Sequence, residues 1–230
     1  SGALLMVHSP LVGPSTMTRF ARQAEHAGHQ VALPDLTSIA AGQHSYEQLV
    51  ARAVEAAGDL SGSVMVVGHS GAGVFLPAIG EQIGDDVELV FVDAVVPPRT
   101  GAHHTSEAMR GLLDAHTVDG VLRPWLQWWP NEVVDHLVPD AADRAQLEAD
   151  MPQIPRSFYD ADVDVPAGWS QRSCAYLRLS PAYDDDYVEA ASRGWPTASI
   201  DSTHLGLFTD AARVFAATIT LVDELSEPAR

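Results

Sequence analysis

The sequence predicts an α/β fold, a mostly parallel sheet flanked by helices. Three observations carry this. Short, β-rich apolar runs alternate along the chain with longer stretches of helical periodicity, the pattern of strands joined by crossover helices. Several runs are continuously apolar, as in SVMVV at 63–67 and VELVFV at 87–92, which strands buried on both faces require. A length of 230 residues suffices for one well-filled core and does not call for two.

Taken in order, ALLMVH at 3–8 reads as a buried strand, and a helix follows at about 15–27 with Ser15 as its cap and Gly28 as its stop. Residues 30–34 form a second strand. From Ser45, SYEQLVARAVEAAGDL places Leu49, Val50, Ala53, Val54 and Ala57 on one helical face that should pack on the sheet. The runs at 63–67 and 87–92 supply two central strands. From 97 to about 166 prolines recur, no convincing strand appears, and short helical pieces intervene at 123–137 and 141–151. We read this stretch as a helical cap inserted into a single domain spanning 1–230. Strand character resumes at 174–179, followed by a helix at 185–193, a short strand at 197–200 and a last helix at 210–225.

Composition removes several function classes. Hydrophobic residues make up 46% and charged residues 19%, and no apolar run approaches the roughly 18 residues of a membrane-spanning helix. A net charge of −18 disfavours nucleic acid and anionic membrane surfaces, because phosphate-rich partners need neutralising cations. All 13 basic residues are arginine, so Schiff-base chemistry and lysine-dependent phosphate transfer are excluded by inventory. The single cysteine, Cys174, lies in the apolar stretch SCAYLRL and reads as a buried strand thiol. The ten histidines include no HExxH, and His103 and His104 are neighbours in a loop-like stretch, so neither metal nor cofactor is expected. No export signal is visible, Ser1 and Gly2 look like a processing scar, and a cytoplasmic location is expected.

The chemistry is concentrated in VVGHSGAG, 66–73. In a GxSxG elbow a strand turns sharply into a helix, leaving a serine in a strained conformation with its oxygen exposed; small neighbours are needed to avoid clashes. Gly68, Gly71, Ala72 and Gly73 meet that need around Ser70, with Ala72 making this a GxSxA variant. A phosphate-cradling turn would instead show GxGxxG, which is absent. A serine hydroxyl needs a base to become a useful nucleophile. His204, in DSTHLGLF between the last strand and the last helix, can project over the carboxyl edge of the sheet where Ser70 also points.

At these residues the chain resembles the α/β-hydrolase superfamily and is similar to its compact esterase and hydroxynitrile-lyase-like branch. The resemblance runs through nearly the whole chain: the early strand ending VHS, the ALPDL segment, GHSGAG, the cap and THLGLF. It implies an esterase or related activity without cofactor, and a sheet of about six strands lacking the antiparallel hairpin that opens many members. Members carry the triad acid after the strand that here ends YLRLS, but this chain reads SPAYDDDY there, with Ala182 near the expected position and Asp184 to Asp186 slightly later. The alternative acid is Asp93, at the end of VELVFVD, a position some relatives use; Asp93 is preferred over Asp184. One oxyanion donor should be the amide of Gly71. The resemblance draws the other from the residue after a His-Gly pair, where this chain has His8-Ser9-Pro10, and proline has no N–H. Leu11, the Ser9 hydroxyl or a water remain as donors.

Trp125, Trp128 and Trp129 in RPWLQWWP have helical spacing. Their shared face either lines an apolar pocket above Ser70 or anchors the cap on the core. Arg99, Arg110 and Arg123 are candidates for a substrate carboxylate. The resulting expectation is a serine-dependent hydrolase acting on an ester, thioester or lactone of a hydrophobic small molecule through Ser70, His204 and Asp93. A lyase, elimination or cyclisation enzyme on the same fold, and a ligand-binding protein with a vestigial triad, are the alternatives.

Overall fold

The computed structural model describes residues 2–42 and 45–226; Ser1, half of the expected processing scar, lies outside the described residues. Six strands form one parallel sheet: β1 Ala3–Val7, β2 Gln30–Ala32, β3 Val64–Ser70, β4 Val87–Ala94, β5 Cys174–Arg178 and β6 Thr197–Ser199. Their order in space is β6-β5-β4-β3-β1-β2. The helices are α1 Ser15–His26, α2 Thr37–Ala41, α3 Tyr46–Ala57, α4 Leu76–Ile83, α5 Glu107–Ala115, α6 Asn131–Leu137, α7 Ala141–Ala149, α8 Asp184–Ser192, α9 Gly206–Thr209 and α10 Ala211–Ser226.

Side chains alternate across the sheet, so each apolar run serves two cores. Leu5, Val66, Phe91 and Tyr176 pack with Leu49, Val50 and Ala53 of α3 and Ile79 of α4. Leu4, Met6, Val67, Val90 and Leu177 pack with Met17 and Phe20 of α1 and Val214 and Leu221 of α10. Helices on both faces are why these strands read as continuous apolar runs. Cys174 is buried in β5 as expected, and burial pushes its thiol up to about 12. Gly28, the expected stop, follows α1 in the left-handed region at φ 85°, and Ser45 and Gln48 form a capping box at α3.

Ser15 does not cap α1. It is the first helical residue, and its N–H and hydroxyl donate to Asp150 at 2.8 and 2.6 Å. A carboxylate from 135 positions away thus satisfies the helix start, which local sequence does not reveal. The last helix, expected at 210–225, is α10, Ala211–Ser226, and the short α9, Gly206–Thr209, precedes it.

Between β4 and β5 the chain adds no strand to the main sheet. It does contain two small antiparallel ladders that the sequence reading lacked, Ala102–His103 with Val163–Asp164 and Thr117–Val118 with Val121–Leu122. The expected helix at 123–137 is two pieces, a 3-10 turn Trp125–Trp128 and α6. The reason is Pro130, which disfavours helical geometry at the residue before it; Trp129 is extended there, at φ −109° and ψ 147°. The insert is fastened to the core by Arg19 of α1, which pairs with Asp143 of α7 at 2.5 Å and lies 3.9 Å above the Phe208 ring. Among the described residues no helix is long and apolar enough to cross a membrane.

Candidate active site

The carboxyl ends of the central strands deliver the reactive groups. At the end of β3, Ser70 takes φ 59° and ψ −130°, a conformation that a residue bearing a Cβ holds only where its surroundings enforce it. A 3-10 turn, Gly71–Phe75, then leads into α4. A Cβ on Gly73 would collide with the Val95 carbonyl, so the bend closes only around glycine, whereas Ala72 packs its methyl into the core below.

In the neighbouring strand, Val92 lies opposite His69 and Ala94 opposite Ser70. Asp93 is therefore an extra residue in the ladder, with φ 44°, and such a bulge re-aims its side chain. The carboxylate is fully buried and accepts four hydrogen bonds: the N–H groups of Leu179 and Ser180 at 2.8 and 3.0 Å, the Ser180 hydroxyl at 2.6 Å, and His204 Nδ1–H at 2.7 Å. Burial by itself pushes the Asp93 carboxyl up; the hydrogen bond and charge of His204, with Ser180 and Leu179, outweigh it and hold Asp93 below the usual carboxylate range. Tyr176 fixes this strand end by bonding both the N–H and the carbonyl of Ala94, at 3.1 and 2.8 Å.

His204 follows β6 in a turn and places Nε2 3.0 Å from Ser70 Oγ. Its backbone is held by His69, whose Nε2–H donates to the His204 carbonyl at 2.7 Å. Burial, and then the nearby His204, push His69 down to about 3, so it serves as a neutral prop. Ser70, His204 and Asp93, drawn from positions up to 134 apart, are thus brought into one hydrogen-bonded line. Asp184, the other acid considered, is instead an exposed partner of Arg178.

The loop after β1 faces this line. His8 is buried and donates Nδ1–H to the Ser9 carbonyl at 2.9 Å, while its Nε2 accepts the Leu36 N–H at 3.0 Å. Burial lowers its pKa, keeping the neutral ring these two bonds require. A Cβ on Gly71 would stand 3.4 Å from Ser9 Oγ and 3.8 Å from Pro10 Cδ, so these groups adjoin the Ser70 bend. The expected donor Leu11 is occupied, since its N–H donates to Ser9 Oγ at 3.3 Å. Ser9 keeps its own hydrogen, for which no acceptor stands among the described residues.

No protein-family model matches the chain, and no curated protein matches it in sequence. Solved structures do match. An extracellular α/β-hydrolase from a Paenibacillus species shares 16% identity over 96% of this chain and 99% of its own, with a TM-score of 0.74. Tomato methylketone synthase I, complexed with 2-tridecanone, shares 13% over 98% and 99%, with a TM-score of 0.75. A pyrethroid hydrolase from Sphingobium faniae shares 15% over 99% and 98%, with a TM-score of 0.70. The chain has the α/β-hydrolase fold.

In this α/β-hydrolase frame the segment between β4 and β5 roofs a cavity of about 680 Å³ that opens onto Ser70. The three tryptophans divide between the two roles expected of them. Trp125 reaches over the site, its ring 5.9 Å from that of His204, and meets Trp129 edge to face at 5.8 Å. Trp128 stacks on His116 at 5.0 Å and donates Nε1–H to the Arg123 carbonyl at 2.8 Å, so it anchors the roof while contributing to the cavity wall. Arg99, Arg110 and Arg123 do not line the cavity, and the expectation that they bind a substrate carboxylate is set aside. Asp186 does line it. Its carboxylate accepts the Val96 N–H at 2.7 Å, and burial pushes it up to about 6.

One residue went unread in the sequence. Tyr183 places its hydroxyl 3.0 Å from Ser70 Oγ and stacks its ring on His204 at 5.0 Å, with 9° between the planes. It stands in SPAY, where the resemblance directs attention to a missing acid and away from the aromatic beside it.

Proposed function

We propose that the chain is a serine-dependent hydrolase that cleaves an ester, thioester or lactone of an apolar small molecule. The observation that carries the reading is the line Ser70 Oγ, His204 Nε2 at 3.0 Å, His204 Nδ1 to Asp93 at 2.7 Å, lying under a largely aromatic and aliphatic cavity. With Asp93 ionised, Nδ1 of His204 carries the proton and Nε2 is free to accept the one on Ser70. The serine oxygen adds to the substrate carbonyl, His204 passes the proton to the leaving group, and water releases the acyl-enzyme by the same route. The oxyanion is met by the Gly71 N–H and the Ser9 hydroxyl, a side-chain donor standing in for the amide that Pro10 lacks. The names of the polyneuridine aldehyde esterase and pyrethroid hydrolase structures similar to this chain support hydrolysis.

A fluorophosphonate probe tests this reading: attachment to Ser70, abolished in Ser70→Ala, is the expected result, and absence of labelling contradicts it. A second reading, elimination or cyclisation with Ser70 and His204 as a proton relay, is favoured by Pro10 at the oxyanion position. It predicts product formation without any covalent intermediate on Ser70.

A further inference from the structure

Tyr183 belongs to a short 3-10 turn, Pro181–Tyr183, directly after β5. Ser70 has a single hydroxyl proton, and the triad directs it to His204 Nε2. The 3.0 Å contact between the two hydroxyls is therefore one in which Tyr183 donates and Ser70 Oγ accepts. Burial raises the phenol well above its ordinary value, as do the charges of Asp93 and Asp186, while the Ser70 bond opposes them. Tyr183 thus stays an O–H donor throughout the working pH range.

When Ser70 Oγ bonds to a substrate carbon it becomes an ester-type oxygen, a weaker hydrogen-bond acceptor than the hydroxyl or alkoxide it replaces, and the Tyr183 O–H turns to a better acceptor. The topology indicates which oxygen replaces it. Gly71 and Ser9 approach Ser70 from the β3 and β1 side of the sheet, whereas Tyr183 comes from β5, across β4, and lies against His204. The oxyanion turns toward the first pair. The leaving-group oxygen, which receives its proton from His204, is on the side that Tyr183 occupies.

We propose that Tyr183 is a catalytic residue whose hydroxyl donates a hydrogen bond to the leaving-group oxygen as the acyl–oxygen bond breaks. This rests on the reading of Ser70 as a nucleophile. In the step, the Ser70 Oγ–carbon bond has formed and its proton is on His204 Nε2. The oxyanion electron pair re-forms the carbonyl, the bond to the leaving oxygen breaks with its electron pair kept by that oxygen, and the His204 proton transfers to it. The Tyr183 O–H bond stays intact and stabilises the charge that develops before proton transfer is complete.

The consequence is a dependence on leaving-group basicity that a purely structural tyrosine does not produce. The test compares kcat/KM for p-nitrophenyl hexanoate, whose leaving oxygen is weakly basic, with that for phenyl and ethyl hexanoate, in wild type and Tyr183→Phe. Loss of a hydrogen bond to a charged oxygen corresponds to a fall of roughly 10- to 100-fold. That fall is expected for the phenyl and ethyl esters, against less than about threefold for the p-nitrophenyl ester, with Ser70 still labelled by the fluorophosphonate and a cooperative thermal transition retained. Equal losses on all three esters, or no loss on any, overturn the proposal while leaving Ser70 as nucleophile. Failure of wild type to label at Ser70 overturns the nucleophile reading, and the role of Tyr183 falls with it. Labelling at Ser70 without turnover of any ester overturns the Tyr183 role alone.

Discussion

Ser70 and Asp93 sit at the ends of strands whose neighbours are almost wholly buried, and His204 is pinned between Asp93 and His69. Trp125, Trp129 and Tyr159, which line the cavity, hang from a segment that has no strand in the main sheet and helices of only seven to nine residues. The first region is over-determined: two left-handed residues, a bulge and a four-bonded carboxylate leave each reacting atom one place to be. The second is held by small apolar clusters, such as Leu126, Val134 and Leu147 packed on Leu205 and Phe208, and by a few ties to α1. On the proposed reading, the chemistry belongs to the sheet rim and the choice of substrate to the roof. Substitutions in the rim should lower kcat with little change in KM; substitutions in the roof should do the reverse.

Asp93→Asn gives the largest expected effect. It preserves shape but favours the wrong tautomer of His204, and kcat should fall about 10⁴-fold with KM nearly constant. Steady-state kinetics on p-nitrophenyl hexanoate measures this, and a loss below tenfold would break the assignment of chemistry to the rim. Ser9→Ala comes next. Removing one oxyanion donor costs on the order of 10² in kcat, and an unchanged rate would transfer that role to water. Trp125→Ala should raise KM about tenfold through lost apolar contact, leaving kcat within about threefold; a large fall in kcat with constant KM would place Trp125 with the rim.

The smallest effect is on stability. Asp186 is held up to about 6 by burial, against an ordinary value of 3.8. Between pH of about 4 and 6 the unfolded chain loses this proton while the folded one retains it, so stability falls as pH rises through that window and then levels. Asp186→Asn keeps an oxygen for the Val96 N–H and removes the penalty. The variant should match wild type near pH 4 and exceed it by up to about 2 kcal/mol at pH 8 in thermal or urea unfolding. An equal difference at both pH values would contradict the burial of this carboxylate.

Legibility in the sequence follows the same division. The strands, the elbow and His204 could be read because parallel-sheet strands are continuous apolar runs and a nucleophile elbow needs small residues at fixed offsets. Asp93 could be read only as one of two carboxylates, because the bulge that aims it has no local signature. Tyr183 and the Asp150 tie to α1 depend on contacts across more than a hundred positions, which periodicity does not register. In the roof the tryptophans were visible, but their shared helical face was wrong. Pro130, directly after Trp129, was the available signal that the helix breaks there.

The central claim is tested most directly by trapping the covalent intermediate. Wild-type protein mixed with p-nitrophenyl hexanoate and quenched with acid within milliseconds should yield, by mass spectrometry, a peptide carrying a hexanoyl group on Ser70, absent from Ser70→Ala, which should also lose about 10⁴- to 10⁶-fold in turnover. Hydrolysis that continues in Ser70→Ala at the wild-type rate, with no acyl adduct in either protein, would contradict the account.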